Sequence, residues 1–184
     1  MIICAGNNET FNFATPIGVG LIESAMNLTR LCLFDKPEFL LFVGSAGSYG
    51  EAKIFDIIES KTAANVELSF LTQDSYTPLD NVISSNTEQT KEMIVNSSNY
   101  ITTNAQKAKQ FLKLGIGIEN MEFFSVLQVA QEFDIPVGGV FCVTNYTNEN
   151  AHNDFVKNHE KAKELLTQHI HARIKQLTNN KGTL

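Results

Sequence analysis

Tryptophan is absent from the 184-residue chain, arginine occurs only as Arg30 and Arg173, and proline only four times. With 20 acidic against 14 basic residues and a formal charge of −6, so little arginine excludes a face that grips nucleic-acid backbones by charge. Cysteine is also scarce. Cys4, Cys32 and Cys142 each lie inside an apolar run, and an odd count without paired spacing excludes a disulfide framework and predicts reduced, buried thiols. No stretch approaches the roughly 20 apolar residues that span a bilayer. The segment Met1-Ile2-Ile3-Cys4-Ala5-Gly6-Asn7 has neither a basic start nor a long apolar core, so no export signal is expected and the location is expected to be cytoplasmic. What the chain does have is a 43% apolar share and 13 phenylalanines, which excludes disorder and supplies a sizeable core.

Short apolar runs alternate with helical patterns. Ile2–Ala5, Phe39–Val43, Ile54–Ser60, Val66–Leu71, Ile116–Ile118 and Pro136–Val143 have the length and composition of strands. Val19–Phe34, Asn104–Leu114, Glu122–Phe133 and Ala151–Leu177 carry apolar residues near a 3.6-residue period, which predicts helices. Residues 72–98 are polar and rich in Ser, Thr and Asn, the composition of a long surface excursion. The alternation predicts one α/β domain over 1–178, with a mixed or parallel sheet between two helical layers, and a frayed tail over 179–184.

Four places combine polar residues with the end of an apolar run. Gly18-Val19-Gly20 opens a helix, where free amides suit an anion or a polar sugar, although the full dinucleotide fingerprint is missing. Gly44-Ser45-Ala46-Gly47 is expected as a tight turn at a strand's carboxyl end, the customary ligand position in an open α/β sheet. Glu122, in Asn120-Met121-Glu122, can accept from both hydroxyls of a diol or serve the helix dipole. Asn145, after Thr144, can pair with a heterocycle edge or simply end a strand. The four histidines have no carboxylate or thiol at ligand spacing, so no metal site is expected.

In this order, the segments resemble the nucleoside phosphorylase and nucleosidase superfamily. The matching motifs are Pro16–Gly20, Gly44–Gly47, Asn120-Met121-Glu122, Thr144-Asn145 and Ala151-His152-Asn153-Asp154-Phe155. The resemblance implies the fold of that superfamily and cleavage of a purine N-glycosidic bond. It implies that Glu122 binds the ribose hydroxyls, Met121 packs on the sugar, and Asn145, beside Thr144, stabilises a departing 6-oxopurine. It further implies that Tyr100 stacks on the base and that Phe70 is lent across a subunit interface in a homodimer or higher homo-oligomer.

The expected reaction is phosphorolysis of inosine or guanosine to base and ribose-1-phosphate. In it Ser45, Gly47 and nearby amides would hold phosphate, with no cofactor. The alternatives are hydrolysis by a nucleosidase, or a silent nucleoside-binding member. Departures from the family pattern bear on this choice. Phe42 stands where phosphorylases carry an arginine, Asn120 replaces the first Glu of Glu-Met-Glu, and the chain is shortened between its first strand and first helix. Glu9 is the sole candidate for a water-activating glutamate, and it falls out of the family's register.

Overall fold

The computed structural model describes residues 1–85 and 92–181. A mixed nine-stranded sheet forms the middle layer. In chain order its elements are β1 (Ile2–Cys4), β2 (Thr15–Pro16), α1 (Gly20–Asp35), β3 (Leu40–Ser48), β4 (Ile57–Ser60), β5 (Thr62–Ala64), α2 (Leu68–Leu71), β6 (Val82–Ser84), β7 (Ile94–Ser97), α3 (Ala105–Lys113), β8 (Ile116–Asn120), α4 (Phe123–Glu132), β9 (Val137–Tyr146) and α5 (Ala151–Lys181). Strand β3 is the hub. Along one edge it pairs in parallel with β9 over its whole length. On the other it pairs with β1 near its start and antiparallel with β8 at its end.

The two central strands are apolar on both faces because both faces are covered. Phe42 of β3 and Phe141 of β9 point to the side of α1 and α4, where they meet Phe123, Leu28 and Leu127. Their neighbours Val43, Val140 and Cys142 point the other way, against Ala162, Leu166 and Ile170 of α5. This alternation is the period-two geometry of a strand. Asn104 caps α3, its side chain accepting from the Gln106 and Lys107 amides. All three cysteines are buried free thiols, and burial pushes Cys142 up to about 12. Among the described residues, no helix is long and apolar enough to cross a membrane.

Four expectations differ from the structure. Gly44–Gly47 is not a turn but the continuation of β3, held extended because β9 and β8 pair with its two edges. Val66–Leu71 is not a strand. Asn96 exchanges two side-chain hydrogen bonds with the backbone of Val66, occupying the groups a continuing strand would use, and the chain turns into α2. The polar excursion contains β6 and β7, while its residues 86–91 lie outside the described residues. Helix α5 runs to Lys181, three residues into the segment expected as a frayed tail; residues 182–184 of that tail lie outside the described residues.

Candidate active site

A cleft of about 330 Å³ opens at the carboxyl ends of β1, β3 and β9. It gathers Ser45, Gly47, Tyr100, Met121, Glu122, Thr144 and Asn145, every expected site residue except Phe70. Helix α5 adds His152 and Phe155 from its first turns, and the segment after β1 adds Asn7, Asn8 and Glu9. Phe70 lies on α2 beside a separate cavity of about 800 Å³.

Glu122 is buried at the junction of β8 and α4 and accepts three hydrogen bonds. They come from the Gly20 amide at 2.9 Å, the Asn120 side chain at 3.1 Å and the Met121 amide at 3.2 Å. Burial pushes its carboxyl up to about 7, and the nearby Glu9 charge adds to the rise, while the two amides pull it back. The expected free amides at the start of α1 are therefore occupied. Val19 donates to Glu23, Gly20 to Glu122 and Leu21 to Asn99. Gly20 sits at φ +83°, and a Cβ there would come within 2.7 Å of the Asn99 side-chain oxygen, so this approach requires glycine.

The β3 segment meets a carboxylate where a phosphate was expected. The Ser45 amide donates to Glu9 Oε1 at 3.1 Å, and the Ser45 hydroxyl donates to the same oxygen. Sequence register concealed this placement. Gly6 (φ +102°) and Asn7 (φ +52°) turn the chain sharply after β1, and the Glu9 amide bonds back to the Gly6 carbonyl at 2.9 Å. That short turn brings Glu9 to β3. The Gly-Asn-Asn sequence was the available signal.

Asn145 is placed by an irregularity. The β3–β9 register shifts so that Ala46 faces Val143 and Gly47 faces Asn145, leaving Thr144 as the extra residue, and such bulges re-aim side chains beside sites. Thr144 Oγ1 donates to Asn145 Oδ1 at 2.8 Å, and Asn145 Nδ2 donates to the Tyr146 carbonyl at 3.2 Å. The amide oxygen is thus engaged and the nitrogen keeps one further proton. Glu119 also lines the cleft. It accepts from the Tyr49 hydroxyl at 2.7 Å and the Thr102 amide at 2.9 Å, and burial raises its carboxyl.

The charge of the cleft is one-sided. Glu9, Glu119 and Glu122 line it, and among the described residues no lysine or arginine does. Arg173 instead pairs with Glu59 of β4, and Arg30 is exposed on α1. Among the described residues there is no group of three His, Cys, Asp or Glu that could hold a metal ion.

A family model described as the phosphorylase superfamily matches residues 2–175. No curated protein matches the chain. Solved structures match by fold. A futalosine hydrolase mutant of Helicobacter pylori is 17% identical with a TM-score of 0.79, and the match covers 95% of this chain and 97% of that one. The MTAN of the same organism, in a mutant form with 5′-methylthioadenosine in the active site, is 19% identical with a TM-score of 0.75, covering 89% and 79%. The MTA/SAH nucleosidase of Streptococcus pneumoniae, in complex with 8-aminoadenine, is 16% identical with a TM-score of 0.72, covering 91% and 94%.

Proposed function

The chain belongs to the phosphorylase superfamily, and on that premise we propose that it hydrolyses the N-glycosidic bond of a purine nucleoside, with water rather than phosphate as the acceptor. The observation that carries this reading is Glu9. Its carboxylate takes both donors of Ser45, so the groups expected to hold phosphate already face an anion. A phosphate entering there would meet a carboxylate and, among the described residues, no lining lysine or arginine. A water molecule meets a base. The fold likeness to hydrolytic nucleosidases favours the same acceptor.

The chemistry follows from the placement. The ribose hydroxyls donate to Glu122, which is already oriented by three protein donors. Met121 and Phe155 offer apolar surface in the same cleft, and Tyr100 offers a ring face to the base. As the C1′–N9 bond lengthens, its electron pair leaves on the purine and positive charge grows on the ribosyl carbon. The free Asn145 Nδ2 proton supports the departing base, as a donor aimed at developing charge. The water oxygen bonds to C1′, its proton passes to Glu9, and the base takes a proton from solvent.

Asn145 also sets the base. With its oxygen held by Thr144, the amide presents a donor, which suits the adjacent N7 and O6 acceptors of a 6-oxopurine. Adenine places an amino donor where O6 would be. A second copy of the chain would complete the cleft wall. Phe70, Tyr76 and Leu79 line the neighbouring cavity. A third hollow, lined by Leu68 and Tyr100, links that side to the cleft. Tyr76, Leu79 and Tyr100 are 88%, 75% and 81% exposed, large apolar side chains of the kind that association would cover.

The decisive experiment supplies inosine and adenosine in phosphate-free buffer and again with phosphate, and separates ribose from ribose-1-phosphate. Free ribose should form without phosphate, and inosine should exceed adenosine by about tenfold in kcat/KM. Cleavage that requires phosphate and yields ribose-1-phosphate would return the site to phosphorolysis.

A further inference from the structure

Helix α5 buries Ala151, His159, Ala162, Leu166 and Ile170, a spacing that packs one helix face onto the sheet. Four of these residues are apolar and one is not. His159 is only 7% exposed, and a polar ring in such a position costs stability unless its nitrogens are paired. One nitrogen is paired: Nε2 lies 2.7 Å from the backbone oxygen of Asn8. That partner is a carbonyl, so Nε2 carries the proton and donates. The other, Nδ1, is buried without a partner among the described residues. An aliphatic residue here would leave no such buried acceptor, so packing alone does not account for the imidazole.

The Asn8 carbonyl belongs to the residue immediately before Glu9. Asn7 and Asn8 are exposed at the tip of the Gly6–Glu9 turn. Within the turn, the Glu9 amide bonds to Gly6. From outside it, His159 makes the one hydrogen bond to Asn7 or Asn8 among the described residues. The Phe155 ring, which lines the cleft, lies 4.9 Å from the imidazole and backs it.

We infer that His159 is a positioning residue: by holding the Asn8 carbonyl it fixes the Gly6–Glu9 turn, and with it the Glu9 carboxylate against Ser45 in the cleft. The inference rests on the hydrolytic reading for its catalytic consequence, though the tether itself is a matter of the turn alone. Misplacing a reacting group by about 1 Å can cost on the order of a hundredfold in rate. Loss of the tether therefore lowers kcat while leaving the sugar contacts of Glu122 unchanged.

His159→Leu removes the donor and fits the apolar spacing of α5. His159→Gln keeps an N–H at about the reach of Nε2. With inosine in phosphate-free buffer, His159→Leu should lower kcat by about tenfold or more with KM within about threefold, and His159→Gln should recover most of the loss. Amide hydrogen exchange at Glu9 should quicken in His159→Leu and return toward wild type in His159→Gln. A Leu variant whose Glu9 amide exchanges at the wild-type rate overturns the tether, whatever its activity. A kcat that is unchanged, or that falls equally in both variants, overturns the positioning role. Glu9→Gln separates the two readings. If it still hydrolyses inosine at the wild-type rate, the role of Glu9 as base fails; if the wild type releases no ribose, the hydrolytic reading fails. If it is inactive while His159→Leu works at full rate, only the role of His159 fails.

Discussion

Glu122 shows how much a single side chain's setting decides. Its candidacy as a site residue is legible from Asn120-Met121-Glu122 before a helix, and it lines the cleft. Its contact with the Gly20 amide is not, because 102 positions separate the two and only the sheet brings them together. The setting raises its carboxyl from the ordinary 4.5 to about 7. An acid with a raised folded-state pKa contributes stability that is full below the ordinary value and is lost as pH rises through the raised one. Thermal stability should therefore decline between about pH 4.5 and 7, and Glu122→Gln should flatten that decline. On the proposed function, substrate binding runs the opposite way, since ribose hydroxyls would need the ionised acceptor. KM for inosine should fall about tenfold between roughly pH 6 and 8, with Glu122→Gln showing no such slope. Steady-state kinetics across that range would check both signs, and a wild-type KM independent of pH would remove Glu122 from the sugar site.

Among the elements, β9 and β3 were the easiest to anticipate and the hardest to end correctly. Their doubly apolar runs announce buried strands, yet both continue past the apolar residues into Gly44–Ser48 and Thr144–Tyr146. Glycine, serine and asparagine signal turns in isolation. Here they stay extended because neighbouring strands supply the hydrogen bonds, a tertiary effect that local sequence does not carry. Glycine within these strands also answers to packing. A Cβ on Gly139 would lie 2.6 Å from the Phe141 ring and 2.7 Å from the Phe123 ring, and those two rings stack edge to face at 5.1 Å. Gly139→Ala should therefore cost about 1–3 kcal/mol. It would read as a lower urea midpoint with an unchanged slope. A wild-type midpoint would mean that the rings have room to yield.

For the molecule as a whole, the three-layer α/β architecture was legible because element order and apolar periodicity are spread along the entire chain. The proposed acceptor was not, because that reading depends on where one short turn after β1 places Glu9. Assembly state is likewise a property of surfaces. The exposed Tyr76, Leu79 and Tyr100 predict a homo-oligomer at micromolar concentration by light scattering, and replacing Tyr76 and Leu79 with serine should shift it toward monomer. A wild-type monomer with full activity would show that one chain encloses its substrate unaided. The acidic lining has a wider consequence for which solutes the protein samples. A nucleoside 5′-phosphate carries the same base and sugar as a nucleoside plus a dianion, and the carboxylates of Glu9, Glu119 and Glu122, with no lysine or arginine lining the cleft among the described residues, would oppose that added charge. On the proposed function, such a cleft is expected to sort purine metabolites by charge before any base is read, taking uncharged nucleosides and passing over nucleotides.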